Sequence, residues 1–276
     1  MSDATIHSRP FEYPASGQVR TGTLYHASDA SSPPRSAVVV VHGLFVNSAM
    51  PEIDQFSRRV ASRFDVVTID MRGHGRAPGP FTWGRQEKDD LADLVVFLRA
   101  LHPSVGVVGF SFGGDVAIFS AALSSRRQEG GLPDALCTVG SPAHLDLWAY
   151  RVRWCGWAHF KRILLRRRGR FAPGWPHLRW RRAVDVVSGV SPAPLLILHG
   201  ERDWLVHPRQ GRQLYDAASQ PKQLIMIPGV THAEFIMDDA PELLVKPVLT
   251  FLEEHLSGPV PTSPADVEVS LTRDRL

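Results

Sequence analysis

Gly109-Phe110-Ser111-Phe112-Gly113-Gly114 holds the strongest nucleophile candidate in the chain. The β-branched run Val105-Gly106-Val107-Val108 leads into it, and Asp115-Val116-Ala117-Ile118-Phe119 follows as the opening of a helix. A G-x-S-x-G turn between strand and helix is a nucleophile elbow: it cramps the serine backbone and holds the hydroxyl above the sheet. Glycine is needed at 109 and 113 because a Cβ there would collide with the crossing strand and helix. A hydroxyl near its free pKa is a poor nucleophile, so a base must lie in hydrogen-bond reach and a carboxylate must orient that base. His232, after a predicted last strand and a Pro228-Gly229 turn, is the candidate base. Asp203, after the strand before it, is the candidate carboxylate, and Glu201 two residues away could replace it. The chain order Ser…Asp…His is one in which this elbow recurs, whereas Asp238 and Asp239 follow the histidine.

Attack by Ser111 on a carbonyl would need donors for the developing oxyanion, which two backbone N–H groups commonly supply. The amide of Phe112, next to the nucleophile, is one candidate. The amide of Leu44, in the loop after the run Val38-Val39-Val40-Val41, is the other, and Gly43 lets that loop approach closely. His42 is read as a structural histidine hydrogen-bonded inside the loop.

These residues need a scaffold that gathers the ends of separate strands. Segments 11–14 and 19–25 read as an edge hairpin around Ser16-Gly17. Segments 37–41, 64–69, 105–110, 136–140, 193–199 and 222–227 read as strands, and the continuous apolar character of 37–41 suits a parallel sheet covered on both faces. Helical spacing marks 50–63 (Ile53, Phe56, Val60) and 86–101 (Leu91, Leu94, Val95, Leu98), with further helices after Ser111, over 210–218 and over 241–255. Alternating strands and helices predict an α/β fold with a mostly parallel central sheet and helices on both faces. Chemistry then collects at the carboxyl ends of the strands, where Ser111, Asp203 and His232 all fall.

With these motifs in place the chain resembles the α/β-hydrolase fold enzymes, in the branch of monoglyceride-lipase-like and serine aminopeptidase-like esterases. The resemblance rests on His42-Gly43-Leu44-Phe45, Asp70-Met71-Arg72-Gly73-His74-Gly75, the Ser111 elbow, Leu198-His199-Gly200-Glu201-Arg202-Asp203 and Pro228-Gly229-Val230-Thr231-His232. It implies a Ser111, Asp203, His232 triad, an oxyanion hole of the Leu44 and Phe112 amides, structural roles for Asp70 and Arg72, and no cofactor or metal. It also implies a core of residues 1–144 and 190–256 and a helical cap inserted at 145–189. Serine in the elbow disfavours the relatives with an aspartate nucleophile, the haloalkane dehalogenases and epoxide hydrolases.

The insertion is unusual in composition. Residues 145–182 contain five of the seven tryptophans, ten arginines and Lys161 against the single acid Asp146. Two readings stay open: a cap whose Arg stems cover apolar area, or a surface that meets an anionic membrane. Nucleic acid is disfavoured, since no nucleic-acid motif accompanies the charge and the net charge is only +3. Apolar residues around Ser111 predict an ester with an apolar acyl or alcohol group, small or lipid-like. Thioesters, amides, peptides and C–C bonds remain alternatives with the same triad, and a non-catalytic binding module is the rival of another kind. Cys137 and Cys155 form no disulfide framework and read as packing. The N-terminus shows no secretory signal and no apolar run approaches a bilayer span, so the expected location is cytoplasmic, with residues 257–276 a loose polar tail.

Overall fold

The computed structural model describes residues 5–27, 35–127, 130–144, 170–172, 174 and 182–256. Strands β1 (Ile6–Ala15) and β2 (Gln18–Ala27) form an antiparallel hairpin across Ser16 and Gly17. Both turn residues have positive φ, 49° and 71°, as a two-residue hairpin turn requires. The hairpin is longer than its sequence signal because the outer half of β1, with exposed His7, Ser8 and Arg9, has no apolar alternation and is held by its ladder to β2.

The remaining strands are β3 (Ala37–Val41), β4 (Asp65–Ile69), the short β5 (His74–Gly75), β6 (Val105–Phe110), β7 (Ala135–Val139), the short β8 (Arg170–Phe171), β9 (Leu195–Gly200) and β10 (Lys222–Ile227). Among the described residues eight of them form one sheet in the order β1-β2-β4-β3-β6-β7-β9-β10. Only β2 runs against the rest: it is antiparallel to both β1 and β4, whereas β4, β3, β6, β7, β9 and β10 pair in parallel.

Strand alternation divides the apolar residues between two cores. Val39 and Val41 of β3 enter one cluster, Val38 and Val40 the other, and the whole strand is buried. Helices α1 (Pro51–Val60) and α6 (Pro241–His255) cover the second face with Ile53, Phe56, Val60, Leu244, Val248 and Phe251. Helices α2 (Glu87–Arg99), α3 (Phe112–Arg127) and α4 (Arg209–Ala217) cover the first, where Leu91, Leu94, Leu98, Val116 and Leu214 are buried. α1 shows the local logic: Pro51 opens it, Glu52 and Asp54 sit in its first turn, and Arg58 and Arg59 in its last, each sign matched to the helix dipole. The short α5 (Ile236–Asp239) precedes α6.

The chain leaves this frame after β7 and rejoins it at β9, an extra insertion consistent with a cap. Toward its end it carries the 3₁₀ turns Ala183–Asp185 and Val187–Val190, while its five tryptophans, most of its arginines, Cys155 and the tail at 257–276 lie outside the described residues. Cys137 is fully buried in β7, and burial pushes its thiol well above the ordinary range. The insertion contains β8, which pairs antiparallel with β5 in a small second sheet that hydrophobic periodicity did not announce. Among the described residues no helix is long and apolar enough to cross a membrane.

A buried ionic cluster fixes the hairpin and the loop after β4 onto α2. Asp90 accepts two hydrogen bonds from Arg72 (2.5 and 2.7 Å) and one from the Ser16 hydroxyl (2.7 Å), and lies 3.5 Å from Arg20. Arg20 is 2% exposed. Removing the carboxylate strands two guanidinium groups away from water. Asp90→Ala is expected to cost about 3–5 kcal/mol in chemical denaturation, the range for a broken buried pair, whereas Glu253→Ala, which breaks the exposed pair with Arg63, is expected to cost less than about 1 kcal/mol.

Candidate active site

Ser111 stands between the last residue of β6 and the first of α3 with φ +50°, a left-handed conformation that a non-glycine residue holds only when its surroundings over-determine it. Its N–H donates to the Val139 carbonyl at 2.8 Å, and its carbonyl accepts from the Gly114 N–H at 3.0 Å. A Cβ on Gly109 would lie 2.5 Å from the Gly114 Cα, and one on Gly113 would run into the Val41 and His42 carbonyls. Helix and strand therefore meet face to face around the serine, and no larger residue fits at either position.

His232 follows β10, and the residue is 2% exposed. Its Nε2 lies 2.8 Å from the Ser111 Oγ, and its Nδ1 lies 2.7 Å from the Asp203 Oδ2. The carboxylate accepts at Nδ1, so that nitrogen carries the proton and Nε2 is left to accept from the hydroxyl. Asp203 is fixed from its other side: Oδ1 accepts from the N–H groups of Leu205 and Val206 at 2.9 and 2.8 Å. Burial alone would raise the Asp203 carboxyl, but the charge and hydrogen bond of His232, with His199 close by, outweigh it and bring the carboxyl down to about 2. Burial likewise lowers the His232 imidazole, yet the Asp203 charge and hydrogen bond carry it above the usual 6.5. Glu201 is exposed and outside this chain of bonds.

The structure thus brings Ser111, His232 and Asp203 together at the carboxyl ends of β6, β10 and β9. Gly43 packs against the elbow: a Cβ placed on it would lie 3.2 Å from the Ser111 Cβ. His42 is fully buried, its Nε2 accepts from the Met71 N–H at 3.0 Å, and its Nδ1–H donates to the Gly43 carbonyl at 2.7 Å. Burial holds the His42 imidazole below its usual range, which keeps Nε2 an acceptor. Because a trans peptide is planar, anchoring the Gly43 C=O turns the N–H of the same peptide, that of Leu44, to the opposite side. Among the described residues no hydrogen bond takes up this N–H. Phe112, as the first residue of α3, has no intrahelical acceptor for its own.

Three nearby residues have no assigned role in the site as read from the sequence alone. Glu234, two residues after His232, is 4% exposed, sits against Gly43, and has no hydrogen-bond partner for Oε2 among the described residues. Burial holds its carboxyl above the ordinary 4.5. His199 donates from Nε2 to the Val206 carbonyl at 2.9 Å and lies 3.4 Å from the Asp203 Oδ2, supporting the loop that carries the acid. Trp204 turns its ring edge-on to His232, with centroids 6.4 Å apart. His199 stands inside the segment Leu198–Asp203 already singled out, whereas Glu234 in His232-Ala233-Glu234-Phe235 looks like any helix opening.

Comparison with known proteins agrees with this fold. The chain is 32% identical over 73 residues to YfhR of Escherichia coli (strain K12), so the match spans about a quarter of that protein's length, 26%. It is 25% identical over 290 residues to the monoacylglycerol lipase of Mycolicibacterium smegmatis, covering 91% of this chain and all of that one (100%). The crystal structure of the hypothetical protein PA2218 from Pseudomonas aeruginosa superposes with a TM-score of 0.70 over 93% of this chain and 95% of the other, at 17% identity, a likeness of fold alone. Residues 38–246, three quarters of the length and including all three clustered side chains, match the alpha/beta hydrolase family, and the chain belongs to it.

Proposed function

We propose that the protein is a serine hydrolase that cleaves a carboxylic ester with an apolar acyl or alcohol group. The observation that carries this reading is the continuous hydrogen-bonded line from Ser111 Oγ through His232 to Asp203, at 2.8 and 2.7 Å, in a site almost closed to water. As Oγ bonds to the ester carbon, its proton passes to His232 Nε2 and the carbonyl electron pair becomes an oxyanion. The Leu44 and Phe112 amides receive that charge. Collapse breaks the bond to the alcohol, which leaves with the proton from Nε2. Water, deprotonated by the same nitrogen, then releases the acid from Ser111. Asp203, held ionised, stabilises the imidazolium in both halves.

The apolar preference rests on what surrounds the serine. Phe112 follows the serine directly, Trp204 stands edge-on to His232, Phe45 meets Phe171, and Phe81 joins Phe112 to Phe171 by ring contacts of 5.2 and 6.0 Å. A relative that bears the name monoacylglycerol lipase and aligns over nearly the whole chain points the same way. A series of p-nitrophenyl esters of increasing chain length, set beside matched thioesters and anilides, tests the substrate class: kcat/KM should rise from acetate to medium chains and be lowest for anilides.

Fluorophosphonate labelling of the wild-type chain, abolished in Ser111→Ala, tests the nucleophile. Asp203→Asn should keep the fold by circular dichroism and lower kcat about 10⁴-fold, the effect of this change in a serine protease; activity close to wild type would move the acid elsewhere. Only neutral His232 can accept the proton, and its pKa is raised, so kcat/KM should fall as pH drops through a midpoint above 6.5. Asp203→Asn removes the charge that raises it, so its midpoint should lie below that of wild type.

A further inference from the structure

Phe45, the residue after the Leu44 amide, has φ +66°. For a bulky aromatic residue this backbone region is costly, and it persists only where neighbours impose it. The neighbours are specific. The Phe45 N–H donates to His74 Nε2 at 3.4 Å, and His74 Nδ1–H donates to the Arg72 carbonyl at 3.0 Å, which sets the tautomer. The Phe45 ring meets the Phe171 ring edge-on with centroids 4.9 Å apart, and Phe171 in turn lies 4.8 Å from the His74 ring.

Phe171 belongs to the insertion, and the short stretch around it is fastened at several points. Ala172 N–H donates to the Gly73 carbonyl at 2.7 Å, Phe81 N–H to the Ala172 carbonyl at 2.8 Å, Gly174 N–H to the Phe81 carbonyl at 2.8 Å, and the Trp83 indole to the Gly174 carbonyl at 2.9 Å. Gly73 and Gly174 both face backbone where a Cβ would not fit. The insertion thus presses one ring onto the loop at a fixed place. His42 holds the carbonyl of the Gly43–Leu44 peptide, and His74 holds the N–H of the next one.

We infer that His74 and Phe171 are positioning residues that keep Phe45 left-handed and so aim the Leu44 amide at the oxyanion, making the insertion part of the hydrolytic machinery and not only a cover. This rests on the ester hydrolase reading above. Neither side chain touches the reacting atoms; both act on Phe45, in the peptide next to the one that carries the Leu44 donor. An oxyanion donor counts in the transition state and little in the ground state, and losing one costs about 10²–10³ in kcat. Loosening one costs less.

The test uses the full chain, with rates normalised to the sites that a fluorophosphonate labels at completion, so that misfolded protein does not enter the rate. Phe171→Ala should lower kcat of a p-nitrophenyl ester roughly 10–50-fold, below the loss expected when an oxyanion donor is removed outright, with KM within threefold of wild type. The Ki of a trifluoromethyl ketone, whose adduct places an oxyanion in the same hole, should rise by a similar factor. Phe171→Leu, which keeps apolar contact, should recover most of the loss. His74→Ala should behave like Phe171→Ala, and His74→Gln, whose amide oxygen can accept from Phe45, should recover part. In all four variants the acidic midpoint of the pH profile should stay where wild type has it, because His232 and Asp203 are untouched. Wild-type kcat and Ki in labelled Phe171→Ala, or a loss expressed only in KM, would overturn the inference while leaving the Ser111 reading intact. Absence of labelling in the wild-type chain would instead remove the reading beneath it.

Discussion

A strained serine backbone is the constraint from which the rest of the architecture follows. Ser111 at φ +50° projects its hydroxyl over the rim of the sheet only while β6, α3 and the end of β3 are pressed together around it. That pressure comes from the two cores. Val39, Val107 and Ile118 on one face and Val40, Val108 and Phe110 on the other are buried together, and helices on both sides hold the layers in contact. The hairpin and the Arg20, Arg72, Asp90 cluster secure the flank of the same sheet, far from the serine along the chain yet part of one frame.

The electrostatics of the site are as local as its sterics. Asp203 is buried, a position that would ordinarily neutralise a carboxyl, but two backbone N–H groups and His232 supply the ionised form with partners. The charge stays, and it raises the imidazole that must later carry a proton. Glu234, two residues after His232, is the counter-example. It is equally buried, its Oε2 has no hydrogen-bond partner among the described residues, and burial pushes its carboxyl toward the neutral form. Two acids with similar burial thus take opposite protonation tendencies from the charges and donors around them.

Most of the frame was legible in the residues. The Val38–Val41 run, the spacing of Leu91, Leu94 and Leu98, and the segment Pro241–His255 announce elements whose burial the structure shows. The glycines at 109 and 113 announce close backbone approach, and the structure shows what approaches. The readable features share one property: each depends on periodicity or on a residue with special backbone freedom. What was not readable depends on meetings between distant segments. The pairing of His74 with Phe171 joins positions almost a hundred residues apart with two residues on each side, too short for any pattern. Glu234 and Gly43 meet from opposite ends of the chain, and neither carries a mark of the other.

The fastening at 170–174 also bears on how such a protein can change over generations. Because that stretch is pinned to residues 73–83 by backbone bonds, the excursion between β7 and β9 is divided in sequence into a longer portion before the pin and a shorter one after it. On the proposed ester-hydrolase reading, substitutions, additions or deletions in either portion leave the anchored ring its backbone partners at 73–83. Selection on the rest of the insertion and selection on the loop that carries Phe45 then act on separate lengths of chain.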